Sequence, residues 1–508
     1  MLCEKGEGGT EMKNSVLGVI ESVAKLNEKR LALKSTSGEL TYGQLWKQSE
    51  NLAAWLIENS NNDKPIMVYG HKNPQMIVCF LACAKSGRAY CPVDISMPKN
   101  RIEEIAEALE NKIILATEEF ELEGFDVVDS NQIEKICNNK AKEVRSDRSY
   151  WRRGEDVFYI IFTSGSTGKP KGVEITADNL KNFAKWSAKH IDQNEAEPVK
   201  FLNQAPFSFD LSVMDLYTSL TTGGTLICLD KGLQADVGSM FSYMKENQIN
   251  CWVSTPSFAD MCLADHSFNQ TMLEEMNLFL FCGERLAHET AAKLIERFTK
   301  ARIVNTYGPT ESTVAVTSVE ITKDVLVQNA LLPIGVPKDG TELLIVDEEI
   351  LITGDTVGKG YYKCKEKTEE AFIYIEDEKG QKRRAYKTGD KGYYENGNYY
   401  CTGRLDFQVK LHGYRIELGD IESNLIACEE VEQAAVLPRY DGDKLRSLVA
   451  FVKAPDVEGN SKDVKALKTI LKEQLPIYMV PKNIKFLKNM PMTANGKLDR
   501  KRLEAEFL

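Results

Sequence analysis

The feature that most constrains this chain is a short apolar strand running directly into a loop of glycines, hydroxyls and lysines. Phe158-Tyr-Ile-Ile-Phe162 is dense in aromatic and β-branched residues, which suit a buried strand, and Thr163-Ser-Gly-Ser-Thr-Gly-Lys-Pro-Lys-Gly172 follows without a break. A buried strand ending in such a loop predicts a ligand edge at the carboxyl end of a parallel sheet. Helical periodicity over 15–27 and 75–86, with an apolar run at 66–70 between them, predicts an α/β fold with a mainly parallel sheet. Beyond Gly335, short strands and turn signals such as Asn396-Gly397 predict a β-rich subdomain. After Arg404 the chain holds a further α+β unit, with strands around 434–437 and 448–452 and a helix over about 462–474. The expected organisation is a large multi-subdomain α/β domain over 1–404, a junction at 405–406 and a small C-terminal domain over 407–508.

Composition narrows the partners. The 508 residues carry 64 Lys plus Arg against 75 Asp plus Glu, a net charge of −11, with 43% hydrophobic residues. That fits a globular chain and argues against nucleic acid, which needs a basic face. The 12 cysteines show no Cys-x-x-Cys spacing, and Cys79 and Cys83 sit one helical turn apart in the apolar run 76–84. They are expected to be reduced core thiols in a cytoplasmic protein. His288-Glu289 lacks the second His of a zinc helix, so no zinc motif is expected. The run 76–84 falls far short of the ~20 residues that span a bilayer, so membrane insertion is not expected. Residues 1–14 are Gly-rich and mixed in charge, without the apolar core of a signal peptide, and read as a loose extension before a fold beginning near Val16.

The loop is not a Walker A motif, because Thr163 stands where the first Gly belongs and Pro170 follows the lysine. Nor is it a nucleophile elbow, because Ser164 occupies the position of that motif's first Gly. Gly165, Gly168 and Gly172 still allow backbone N–H groups to approach phosphate oxygens, and Thr163, Ser164, Ser166 and Thr167 add hydroxyl donors. The bland alternative is a flexible surface turn. Asp210 lies in an otherwise apolar and hydroxyl-bearing stretch, 206–214. A buried carboxylate needs a cationic partner, and the α-ammonium of an amino acid would serve; the alternative is a helix N-cap.

The loop 163–172 resembles the phosphate-binding loop of the acyl-adenylate-forming superfamily. Further signature segments follow in the family's order: Asn305-Thr-Tyr-Gly-Pro-Thr-Glu311, Tyr386-Lys-Thr-Gly-Asp390, Gly403-Arg404-Leu-Asp406 and Asn495-Gly-Lys497. Within the superfamily, the segments 203–215 and 279–284 are most similar to the branch that activates D-alanine. The resemblance implies ATP and Mg²⁺ as cofactors and D-alanine as substrate. The product would be D-alanyl-AMP, with transfer of the acyl group to the phosphopantetheine thiol of a D-alanyl carrier protein for teichoic acid decoration. No carrier-type attachment site occurs in the C-terminal region, so the carrier is expected to act in trans. The alternatives are an adenylation enzyme for another small amino acid and a non-catalytic nucleotide-binding scaffold. An acyl-CoA ligase is disfavoured by Asp210.

The same resemblance implies roles for individual residues. Thr163, Ser164, Gly165, Ser166, Thr167 and Gly168 would contact phosphate, and Asn305, Thr306, Tyr307, Gly308, Pro309 and Thr310 the nucleotide, with Tyr307 stacking near adenine and Asn305 reading its amino edge. Asp390 would bind the ribose diol, and Cys401, Thr402, Gly403 and Arg404 would complete the nucleotide site. Glu311 would ligate the metal. Lys497 would be the catalytic lysine, touching both the acyl carboxylate and the nucleotide. Asp210, Cys282 and Val314 would form the amino-acid pocket, with Cys282 disfavouring the L-enantiomer sterically. Asp406 would be the hinge of a mobile lid, and the loop around Gly413 would take the place of Lys497 after rotation. The segment 348–354 is short for the family, leaving Asp347-Glu348 as the turn of a compressed hairpin, and His412 stands where many relatives carry Arg. From Phe407 onward the chain has 17 basic and 15 acidic residues, net +2, against −13 for the remainder, which favours docking of an acidic carrier on the C-terminal domain.

Overall fold

The computed structural model describes residues 14–139, 147–163, 170–191, 197–376, 380–442, 444–455, 457–492 and 498–508. By its internal contacts the chain divides into two units. The first comprises 1–95, 106–161 and 172–403, and the second 96–105, 162–171 and 404–508.

The first unit is built on two large sheets. In the nine-stranded sheet the strands Arg302–Tyr307, Leu278–Phe281, Cys251–Ser254, Lys200–Asn203, Thr225–Cys228 and Leu31–Ser35 lie side by side in parallel, flanked by antiparallel edge strands. The seven-stranded sheet runs in the order Gly360–Tyr361, Lys171–Thr176, Val157–Thr163, Tyr90–Asp94, Ile66–Gly70, Ile113–Ala116, Asp126–Val128. Its inner strands are buried along their length, as the near-continuous apolar runs of a parallel sheet require.

The helix Leu211–Thr222 is apolar or hydroxyl-bearing on nearly all sides and buried from Leu211 to Leu220, the pattern of a helix enclosed by other elements. Gly223 ends it in the left-handed conformation at φ +80°. The Tyr217 hydroxyl on this helix meets that of Tyr90 on the seven-stranded sheet at 2.8 Å, which satisfies two buried phenols. A second apolar cluster surrounds Trp252, which packs against Phe258, Phe268 and Phe279 at ring distances of 5.3 to 5.6 Å.

The β-rich subdomain expected after Gly335 is an antiparallel sheet of Thr341–Val346, Glu349–Gly354, Lys382–Glu395, Phe372–Glu376 and Asn398–Arg404. The compressed hairpin is visible in it: Asp347 and Glu348, at φ +49° and +67°, form the whole connection between the first two strands.

The second unit contains the hairpin Gln408–Leu411/Tyr414–Glu417 and the three-stranded sheet Gln433–Asp441, Lys444–Lys453, Asn483–Phe486. Helices Leu418–Ile426 and Ser461–Gln474 cover its apolar core of Ile421, Leu425, Val436, Ala450 and Leu471. His412 and Gly413 form the hairpin's two-residue turn, both at positive φ, a geometry that disfavours bulky β-branched residues there. Among the described cysteines nine are buried, while Cys364 and Cys401 are half-buried and pack against the edge of the main apolar core. No described helix is long and apolar enough to cross a membrane.

Candidate active site

The strand Arg302–Tyr307 delivers the first group of residues. Asn305, Thr306 and Tyr307 are all buried at its carboxyl end. The Asn305 amide donates to the Pro333 carbonyl at 2.7 Å, which fixes the orientation of this side chain. Thr306 donates to the Phe281 carbonyl at 2.8 Å, tying this strand's end to its neighbour.

The Tyr307 hydroxyl donates to Asp390 Oδ2 at 2.6 Å. Two residues 83 positions apart, both expected at the nucleotide, are thereby joined. Burial pushes the Tyr307 phenol well above its ordinary range and the Asp390 charge pushes it further, so it remains a donor at neutral pH. Asp390 is held in turn by its own backbone N–H, which donates to Thr388 Oγ1 at 2.9 Å.

After Tyr307 the chain must reverse sharply. A side chain at Gly308 would bring its Cβ within 2.6 Å of the Ala315 backbone, so glycine is required there. The turn continues through Pro309 and the short 3₁₀ segment Thr310–Ser312, then places Thr313 and Val314 at φ +64° and +69°. Positive φ is a costly conformation for a β-branched residue and marks a site whose geometry is imposed by its surroundings. The imposition is visible: Ala315 N–H donates to the Thr313 carbonyl at 2.8 Å, closing a three-residue turn around Val314, and Thr313 Oγ1 donates to the Thr356 carbonyl at 2.7 Å.

The strained Val314 carbonyl accepts from the Cys282 thiol at 3.5 Å. Cys282 directly follows the strand Leu278–Phe281, so the two residues expected to wall the amino-acid pocket touch one another, both 2% exposed.

Asp210 is 8% exposed and immediately precedes the helix Leu211–Thr222. It stands at the capping position, yet its side chain makes no capping bond and its backbone is already helical at φ −62°, ψ −24°. The N-cap explanation of this buried acid therefore fails. Its charge is felt by Tyr159, whose phenol burial raises well above the ordinary range and Asp210 raises further. The Tyr159 hydroxyl is buried with no hydrogen-bond partner among the described residues, an unusual state for a core phenol.

Glu311 is fully buried, and Tyr361 donates to its Oε1 at 2.7 Å. One pre-oriented carboxylate suits Mg²⁺, which usually keeps water and substrate phosphate as its other ligands. No group of three or more potential metal ligands occurs among the described residues, so the donor set does not resemble a dedicated protein cage. Sequence reasoning missed Tyr361, Thr388 and Tyr159; only the placement of a polar aromatic in an apolar strand hinted at the last.

The remaining expected residues are distributed along neighbouring segments. Cys401 and Thr402 lie in the strand Asn398–Arg404, with Thr402 Oγ1 donating to the Lys391 carbonyl at 3.3 Å. Gly403 follows at φ +157°, and the C-terminal stretch of the second unit begins at Arg404. The Arg404 guanidinium donates in two-pronged fashion to Asp406, at 2.9 and 2.6 Å. Burial raises the Asp406 carboxyl's pKa, but the Arg404 bonds and charge outweigh it and hold it below the ordinary value. Thr163 ends the strand Val157–Thr163. Ser164, Gly165, Ser166, Thr167 and Gly168, and the lysine Lys497, lie outside the described residues.

Comparison with known proteins gives the class. The AMP-binding enzyme family matches residues 20–362 and the AMP-binding enzyme C-terminal domain matches 420–497. The chain belongs to the AMP-binding enzyme family. More particularly, it is 44% identical over 97% of its length to the D-alanine–D-alanyl carrier protein ligase of Bacillus licheniformis, covering 99% of that protein. It is 46% identical over 92% of its length to the ligase of the same name from Bacillus cereus, covering 94% of it. Among solved structures it is similar to holo-PA1221, an NRPS protein containing adenylation and PCP domains, with a TM-score of 0.82 at 25% identity, covering 96% of this chain and 84% of that one. The fold is also shared with the Vibrio cholerae adenylation domain AlmE, with a TM-score of 0.80 at 22% identity, covering 97% of each chain.

Proposed function

We propose that the protein activates D-alanine with ATP and passes the D-alanyl group to the phosphopantetheine thiol of a separate carrier protein. The observation that carries this reading is the 44% identity over 97% of the chain to a D-alanine–D-alanyl carrier protein ligase, to which the structure adds Asp210, a buried carboxylate at the head of a buried helix. An amino-acid ammonium is the substrate group this carboxylate would bind.

In the first half-reaction a carboxylate oxygen of D-alanine attacks the α-phosphorus of ATP, the bond to the leaving pyrophosphate breaks, and D-alanyl-AMP forms. The chain's own groups position the two anions. Asp210 takes the ammonium, Cys282 and Val314 shape the wall beside Cα, and Tyr307, Asn305 and Asp390 hold the nucleoside. Glu311, oriented by Tyr361, would hold Mg²⁺, which neutralises phosphate charge when bound. Lys497 supplies a further cation to the developing charge, as its place in Asn495-Gly-Lys497 suggests. In the second half-reaction the carrier thiolate attacks the acyl carbon, the bond to AMP breaks and a thioester results.

Asp406 is the hinge about which the C-terminal domain, 407–508, turns between the two half-reactions, and its bond to Arg404 is the contact such a turn would act on. The reading places the enzyme in the cytoplasm and in teichoic acid D-alanylation. ATP–pyrophosphate exchange with D-alanine, L-alanine, glycine and D-serine tests it, with thioester formation on the pantetheinylated carrier as the second assay. Exchange strongest with D-alanine is expected. A preference for glycine or an L-amino acid would assign the protein to another adenylation specificity, and absence of pyrophosphate release would leave only a binding scaffold.

A further inference from the structure

A lysine with no part in the reaction just described grips the segment that leads to Asp210. Lys72 lies two residues beyond the strand Ile66–Gly70 of the seven-stranded sheet. Its ammonium donates to Asn203 Oδ1 and to the Ala205 carbonyl, and stands 4.4 Å from the centre of the Phe207 ring. Residues 203, 205 and 207 alternate along the segment, so three groups converge on a single cation. Asn203 passes the tie onward, its amide donating to Asp215 Oδ2 at 3.0 Å inside the helix Leu211–Thr222. Asp215 Oδ1 accepts from Leu216 N–H at 2.8 Å.

Lys72, Asn203 and Asp215 are 2%, 0% and 1% exposed. Burial lowers the Lys72 pKa, with the neighbouring Cys228, Asp215 and Asp94 opposing that, and burial raises Asp215 to about 7 against the pull of Lys72. Apolar residues of similar volume commonly stabilise a core as well as such a network does. A fully connected buried network instead fixes one geometry. Here the geometry it fixes is that of both chain segments flanking Asp210, the approach at 203–207 and the first turns of the helix.

We propose that Lys72 is a positioning residue for amino-acid recognition: by holding Asn203, Ala205 and Phe207 it sets the place of the Asp210 carboxylate, and thereby the affinity for the substrate α-ammonium. The proposal rests on the reading of Asp210 given above. Tyr307 and Asp390 hang on other strands, so the effect falls on the amino acid and not on ATP.

The test is ATP–pyrophosphate exchange by the full-length enzyme with D-alanine as probe. Lys72→Met should raise the D-alanine KM by about tenfold, with the ATP KM unchanged. Lys72→Met/Asp215→Asn, which removes the stranded buried charge, should remain as impaired, and Lys72→Met should add nothing in an Asp210→Ala background. A normal D-alanine KM in Lys72→Met, recovery in the double variant, an additive loss with Asp210→Ala, or an equal rise in the ATP KM would each overturn the proposal. A near-normal KM in Asp210→Ala alone would overturn the ammonium reading itself, whereas a raised KM there with a normal one in Lys72→Met overturns only the role of Lys72. If Lys72→Met does not fold, Asn203→Ala decides, since it removes one grip and leaves the ammonium in place: a rise confined to the D-alanine KM supports positioning, and an unchanged KM overturns it.

Discussion

Replacing Asp210 by Asn tests the amino-acid site with the least disturbance of shape. Because Asp210 is 8% exposed, a substrate ammonium bound to it belongs to the desolvated class of ion pairs. Breaking such a pair costs ~3 to 5 kcal/mol, against ~0 to 1 kcal/mol for an exposed pair. Asparagine keeps a carbonyl acceptor in nearly the same place, and a neutral hydrogen bond has roughly half the strength of a charge-assisted one. About 2 kcal/mol is therefore lost, which corresponds to a D-alanine KM raised ~30-fold. The assay is exchange at saturating ATP with D-alanine varied, and a parallel series with propionate, which has the same carboxylate and methyl group but no ammonium. The preference for D-alanine over propionate should fall by the same ~30-fold, with propionate turnover unchanged. A change below ~threefold, or equal losses for the two acids, would refute the ion-pair argument and assign the carboxylate to the buried polar surroundings of Tyr159.

Three further outcomes follow from the geometry. Cys282→Ala removes the thiol that rests against the Val314 carbonyl and should lower the D-over-L ratio of kcat/KM by ~tenfold, a methyl-sized discrimination; an unchanged ratio would show that the wall is elsewhere. Tyr361→Phe deletes the hydroxyl that orients Glu311 and should raise the Mg²⁺ concentration for half-maximal exchange by ~tenfold without altering the D-alanine KM, as checked by metal titration. His190 is lowered from 6.5 to about 4 by burial and then by the Arg302 charge. Its folded pKa lies below its unfolded one, so its stabilising contribution is complete above 6.5 and is lost as pH falls towards 4. His190→Gln should flatten the fall of the thermal midpoint across that interval, and an unaltered slope would count against the assignment.

What the sequence disclosed and what it withheld divide along a physical line. Elements whose signal is local were legible. The strand at 158–162, the helices near 15–27 and 75–86, and the two-residue turn at Asp347-Glu348 each follow from periodicity or turn chemistry within a few residues. Candidate site residues were legible where a motif carries them, as Tyr307 and Asp390 do, but their mutual hydrogen bond spans 83 positions and has no local signature. The ambiguity at Asp210 was of another kind. An acid before a helix can read as a cap as well as a ligand, and only the conformation of its own backbone and side chain removes the cap. Lys72 and Tyr361 were illegible for a third reason, since a lysine is by base rate a surface residue and a tyrosine by base rate a packing one. Their partners lie 131 and 50 positions away. The residues that a motif names are thus held in place by residues that no motif names. Substitutions at this unnamed layer should therefore shift KM and metal dependence selectively, where loss of Lys497, the lysine proposed to be catalytic, removes the chemistry itself.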